Sequence, residues 1–182
     1  AGGTFSGTGV TGNVFDPAAG TQTLTYDYTD AYGCAFSTNA TFTVFDGGVT
    51  GISPSSQTIC SGDAISNIVT TNTNGAATFN WTRDNTSAVT GIAASGSGAT
   101  ISGTLTNTTS APVTVTFNTT ASVGSCVTPQ TSTVLVNPRP SVNAISSTSA
   151  CSPVSVNVTP AGPVSGTVYN WTRTNSASVT GI

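Results

Sequence analysis

The chain has 182 residues and a formal net charge of −3, from three basic and six acidic side chains, with no His and no Met. All six acids are Asp and all three bases are Arg, so the usual proton carriers His, Glu and Lys are missing. This excludes, within the chain, a Ser-His-Asp triad, a Cys-His dyad, a Schiff-base Lys, a His-ligated zinc site and a Lys-Asn cross-link.

In chain order, the first expected element is a hairpin. Leu24, Tyr26 and Tyr28 alternate with Thr23, Thr25 and Asp27; after a turn at Asp30, Ala31, Tyr32 and Gly33, the residues Cys34, Phe36, Ala40, Phe42 and Val44 share one parity. The pattern reads as two strands with one buried face. Asp46-Gly47-Gly48 closes this segment. In the next, Phe79, Trp81 and Arg83 alternate with Asn80 and Thr82, and Val113, Val115 and Phe117 alternate with Thr114, Thr116 and Asn118. Asn137-Pro138-Arg139-Pro140 closes it, the two prolines favouring a short, stiff connection. Thr and Val have branched Cβ atoms that suit a pleated sheet, and no window carries a sustained helical stripe. The expected class is all-β, a sandwich of short strands joined by polar turns.

The last segment repeats the second. Asn80-Trp81-Thr82-Arg83-Asp84-Asn85-Thr86-Ser87-Ala88-Val89-Thr90-Gly91-Ile92 aligns at an offset of 90 with residues 170–182, and nine of the 13 positions are identical. The preceding cysteines, Cys60 and Cys151, are 91 apart. A period this long exceeds the ~20–50 residues of a solenoid unit and suits whole domains in tandem. The second copy stops at its Ile182, which reads as a window cut from a longer polypeptide. The layout expected is residues 1–46 as the C-terminal part of one domain, 47–137 as a complete domain, and 138–182 as the N-terminal part of another.

Four cysteines, Cys34, Cys60, Cys126 and Cys151, form no C-x-x-C pair and allow three pairings. The domain layout selects among them: Cys60 and Cys126 lie within the complete middle domain and are expected to form a disulfide, while Cys34 and Cys151 are expected to pair outside this segment. Trp81 stands 21 residues after Cys60 and 45 before Cys126, in keeping with an immunoglobulin-like plan in which a mid-domain Trp packs near a disulfide. Such a bridge would contribute about 4 kcal/mol by loop-closure entropy.

Cys60-Ser61-Gly62, Asn80-Trp81-Thr82-Arg83, Val89-Thr90-Gly91-Ile92, Ser95-Gly96-Ser97-Gly98, Leu105-Thr106-Asn107-Thr108, Pro112-Val113-Thr114-Val115 and Val136-Asn137-Pro138-Arg139-Pro140 together resemble the PKD-like repeats of very large surface adhesins from gliding Bacteroidota. The first segment, from Gly3-Thr4-Phe5-Ser6-Gly7-Thr8-Gly9-Val10 to Tyr26-Asp27-Tyr28-Thr29-Asp30-Ala31-Tyr32-Gly33-Cys34, is similar to the immunoglobulin-like repeats of the same proteins. The resemblance implies type IX secretion and a place in a long extracellular, cell-surface filament used for gliding motility or attachment. It brings no catalytic residues.

The remaining candidates have structural readings beside functional ones. Asp27, Asp30 and Gly33, with Asp46 at a junction, are the only calcium-loop candidates; Ca²⁺ takes six to eight oxygens, so turns are the expected role and no cofactor or metal is expected. Trp81 and Trp171 fall in mid-strand and are expected in the core; stacking on sugar rings would need them exposed. Repeated Thr-x-Thr invites an ice-binding face, but its unequal spacing fits solvent faces of strands. Asn85, Asn107 and Asn118 begin Asn-x-Ser/Thr sequons, expected by chance here. Arg83, Arg139 and Arg173 lie too far apart to make a nucleic-acid surface, and no apolar run approaches the ~20 residues of a membrane span. The reading is a non-enzymatic spacer whose partners are neighbouring repeats, with surface polysaccharide or substratum met through other domains. The alternative is a carbohydrate- or surface-binding module.

Overall fold

The computed structural model describes residues 2–151 and 154–174. The N-terminal segment holds β1 (Thr4–Ser6), β2 (Val10–Thr11), β3 (Val14–Phe15), a 3-10 turn (Pro17–Ala19), β4 (Gln22–Thr29) and β5 (Ala35–Phe42). β4 is the centre of a three-stranded sheet, antiparallel to β1 and β5, and β2 with β3 makes a small ribbon. The expected hairpin is present, and its turn is fixed by Asp30, whose Oδ1 accepts from the N–H of Tyr32 at 2.9 Å and of Cys34 at 2.8 Å. Its expected buried face is partly formed on β4, where Tyr26 and Tyr28 are half-buried, and absent on β5. Leu24 is buried, but β5 is exposed along its whole length and Phe36 keeps 62% of its surface in solvent. Among the described residues only the small β2–β3 ribbon packs on it, so the apolar parity has only a satellite cluster to join, with Phe5 on Tyr26 and Phe15 on Phe42.

The next ten strands are β6 (Thr50–Ser53), β7 (Ser56–Cys60), β8 (Ile68–Asn72), β9 (Thr78–Arg83), β10 (Val89–Thr90), β11 (Ser95–Ser97), β12 (Thr100–Ile101), β13 (Thr106–Asn107), β14 (Val113–Val123) and β15 (Cys126–Asn137). They form a five-stranded sheet in the order β11-β9-β14-β15-β7, a three-stranded sheet in the order β12-β8-β6, and a β10-β13 ribbon. All pairings are antiparallel except β15 with β7, which run parallel. The first stretch of chain therefore divides between the sheets, β6 in one and β7 in the other. The fold is an all-β sandwich of immunoglobulin type.

Strand parity follows burial here because each sheet has one covered face. On β14, Val115, Phe117, Thr119, Ala121 and Val123 are buried; on β15, Ser132, Val134 and Val136 are. Of these, Val115, Phe117, Val134 and Val136 join Ile68 and Ile101 of the smaller sheet, with Ile65, Val89, Ile92 and Leu105 closing the core. Each buried Val, Ile, Leu or Phe of this core contributes about 1.5–3 kcal/mol.

Two expectations are overturned. Cys60 is in register with Asn137 at the end of β15, whereas Cys126 begins β15, so the two lie at opposite ends of a 12-residue strand. At ~3.3 Å per residue that is roughly 35 Å, far beyond the ~4.4–6.8 Å between the Cα atoms of a disulfide. No bridge joins Cys60 to Cys126, and none of the four cysteines bonds to another within this chain. Trp171 is 63% exposed instead of buried. Residues 138–151 and 154–174 carry no strand, so Trp171 lacks the facing sheet that covers Trp81.

Candidate functional site

Trp81 is half-buried and packs against the core. It stands opposite Thr119 of β14 and Gly96 of β11, and its ring meets Phe117 at 6.2 Å between centroids. A Cβ on Gly96 would come within 2.4 Å of the indole, so only glycine leaves room for the ring. Beside it, Thr70 of β8 donates its hydroxyl to Thr119 Oγ1 at 3.1 Å, both side chains buried. In immunoglobulin sandwiches the inter-sheet disulfide occupies this place against the strand-C Trp. Here a pair of threonine hydroxyls fills it, and sequence reasoning, which looked for cysteine, passed over both.

The repeated 13-residue block is explained by Arg83. Its side chain is buried at the end of β9 and donates to backbone carbonyls across the following loop, from Nε to Ile92 at 2.8 Å and Ala93 at 3.1 Å, and from Nη1 to Val89 at 3.0 Å. Desolvation lowers the Arg83 pKa, opposed by the neighbouring Asp84 carboxylate. Asn85 takes φ +51° and donates its amide to Thr114 O at 2.6 Å. Gly91 has φ +113°, and a Cβ there would stand 2.0 Å from Thr104 O. Val89 and Ile92 enter the core. The four positions that differ between the copies, at Asp84, Thr86, Ser87 and Ala88, are exposed or half-exposed. The block is a core-and-clamp unit; the second copy beyond Thr174 lies outside the described residues.

Each end of the sandwich grips the adjoining chain. Upstream, Phe45 lies over Gly124 in the β14–β15 turn, where a Cβ would meet its ring at 2.5 Å. Asn74 donates to Asp46 O at 2.6 Å, Asn72 donates to Gly47 O at 3.0 Å, and Cys126 Sγ is 3.7 Å from Phe45 O. Downstream, Arg139 donates to Ser61 O and pairs with the Asp63 carboxylate, and the Ser61 N–H donates to Asn137 O at 2.8 Å. The two junctions thus sit at opposite ends of β15.

The other candidates have structural duties. The Asp46 carboxylate accepts from Gly48 N–H at 2.9 Å, as Asp30 caps its own turn, and Asp27 lies on β4 opposite Ser37; among the described residues no three acids or cysteines gather. Asn107 is buried, its amide donating to Ala111 O and Val136 O, both at 2.8 Å, so its sequon is closed in the folded chain. Asn118 is exposed on the solvent face of β14. Thr23 bonds Thr41 and Thr25 bonds Asn39 across the β4–β5 pair, a cross-strand use of threonine.

Residues 57–140 match the family model described as PKD-like domain. The matched stretch opens within β7 and closes one residue after Arg139, so it takes in the Trp81 pin, the Arg83 clamp and the downstream latch. The PKD-like, immunoglobulin-like fold is typically non-catalytic and fits a structural module of extracellular type. No curated protein matches the chain.

Proposed function

We propose that the chain is part of a non-catalytic, tension-bearing spacer: PKD-like sandwiches strung in series along an extracellular cell-surface filament or adhesin that serves attachment or gliding. The observation that carries this is the placing of the two junctions at opposite ends of β15, so the domain adds its full strand length to the thread. On this reading neighbouring repeats are the direct partners, and any polysaccharide or substratum is met by other domains. The resemblance noted above supplies the gliding and type IX secretion parts.

The strand pairing suits the role. β7 follows the upstream junction and β15 leads to the downstream one, and the two run parallel, closed at one end by Thr133 N–H to Ser55 O at 3.0 Å and at the other by Ser61 N–H to Asn137 O at 2.8 Å. Tension on the chain ends slides β7 and β15 past each other in opposite directions. The ladder bonds are then loaded together instead of being peeled singly.

Stretching the native polypeptide in a force spectrometer tests this. The expected trace is a train of unfolding peaks spaced by roughly 270 Å, the extended length of about ninety residues at ~3.5 Å each less the folded length. Thr133→Pro, which deletes one of the bonds above, lowers the peak force more than a core substitution of equal thermodynamic cost. A native chain giving a single peak refutes the spacer. A second reading, a carbohydrate-binding module, is favoured by exposed Trp171 above a groove of about 500 Å³ lined by Ile145, Val156, Val158 and Pro160; Trp171→Ala abolishing glycan binding would support it.

A further inference from the structure

The four cysteines fall into two positional classes. Cys126 is the first residue after the β14–β15 turn, and Cys34 stands in the same relation to the β4–β5 turn; in each case a long strand then runs to the downstream linker. Cys60 ends β7 opposite Asn137, the last strand residue before Pro138, and Cys151 is its counterpart one repeat on. The middle domain thus carries one thiol at each end, and both abut a linker. Cys126 Sγ lies 3.7 Å from Phe45 O, and a Cβ on Gly47 would stand 3.8 Å from the same sulfur. Cys60 is exposed and adjoins Ser61, whose carbonyl holds Arg139. The Cys126 sulfur therefore lies against the upstream linker, and Cys60 stands exposed at the downstream end, beside the residue that holds the downstream linker.

We infer that these cysteines staple consecutive domains, the thiol at the downstream end of one sandwich bonding to the post-turn thiol at the upstream end of the next. The inference rests on the spacer reading above. A head-to-tail array brings the two classes together at every junction, whereas within one domain they are separated by the length of β15. The bond forms by thiol–disulfide exchange with a small-molecule disulfide. One cysteine thiolate attacks it, forming a mixed disulfide and expelling one small thiol. The second cysteine thiolate attacks the protein sulfur and expels the other. Two protein thiols are oxidised, the small disulfide is reduced to two thiols, and these retain the protons.

Proteolysis of the native polypeptide with thiols blocked and no reductant, followed by mass spectrometry, tests the staple. The expected product joins the Cys60 peptide to a post-turn cysteine peptide of an adjacent repeat, and each Cys60→Ser substitution frees one such partner thiol. Finding Cys60 joined to Cys126 of the same domain, or Cys60 alkylated as a free thiol in a chain that still gives the repeated force peaks, overturns the staple and leaves the spacer standing. Loss of the peaks themselves overturns the spacer. Cysteine-free and oxidised chains also differ: stapled junctions resist bending, so reduction shortens the end-to-end distance seen by imaging.

Discussion

Between the two sheets, Thr70 and Thr119 hold by a hydroxyl pair the position that a cysteine pair holds in other sandwiches. A buried donor left without an acceptor costs about 1–3 kcal/mol, whereas replacing both partners by apolar groups of like shape is close to neutral. Thr119→Val strands the Thr70 hydroxyl and is expected to lower unfolding free energy by about 1–2 kcal/mol. Thr70→Val is milder, because Thr119 Oγ1 also reaches Gln130 O. The double variant should lie nearer to wild type than the sum of the two, a non-additivity that urea denaturation of all four proteins measures directly. Additive losses would show that the hydroxyls do not act as a pair.

At the scale of elements, the loop from β10 to β11 turns on Gly91, whose positive φ and contact with Thr104 O leave no space for a methyl group. Gly91→Ala is expected to cost more than the ~1 kcal/mol of an ordinary backbone effect, and of the order of 3 kcal/mol in thermal or urea unfolding. A cost no larger than that of Gly98→Ala, where the space is open, would contradict it. Elements of this kind explain what the sequence made legible. On β9 and β14, period-two alternation identified the buried face because a second sheet lies over it, and the repeated block marked the clamp because Trp81, Arg83, Asn85, Val89, Gly91 and Ile92 among its invariant positions have a steric or hydrogen-bonding duty. On β5 the same alternation misled, since parity says which side is apolar and not whether anything covers it. The pairing of Cys60 with Cys126 failed for a related reason: sharing a domain says nothing about which end of it each residue occupies, and only the parallel register of β7 and β15 fixed that. Trp171 repeats the sequence around Trp81 but not its surroundings.

For the whole molecule, the controlling feature is how each linker is held. The Arg139 and Asp63 side chains are 60% and 46% exposed, so their ion pair contributes only about 0–1 kcal/mol to stability. Arg139→Ala is therefore expected to leave the urea midpoint of the sandwich nearly unchanged while releasing the downstream linker. Nuclear spin relaxation should then show the order parameter of the Asn143 N–H falling toward ~0.6. A large loss of stability with an unmoved linker would mean that the latch belongs to the core. The exposed β5 has a further consequence. Its eight residues contain no charge and no proline, and among the described residues its outer edge bonds to no strand. Such an edge is a template for ordered aggregation, so in a concentrated solution of residues 1–182 alone fibre nucleation would start at Ala35–Phe42.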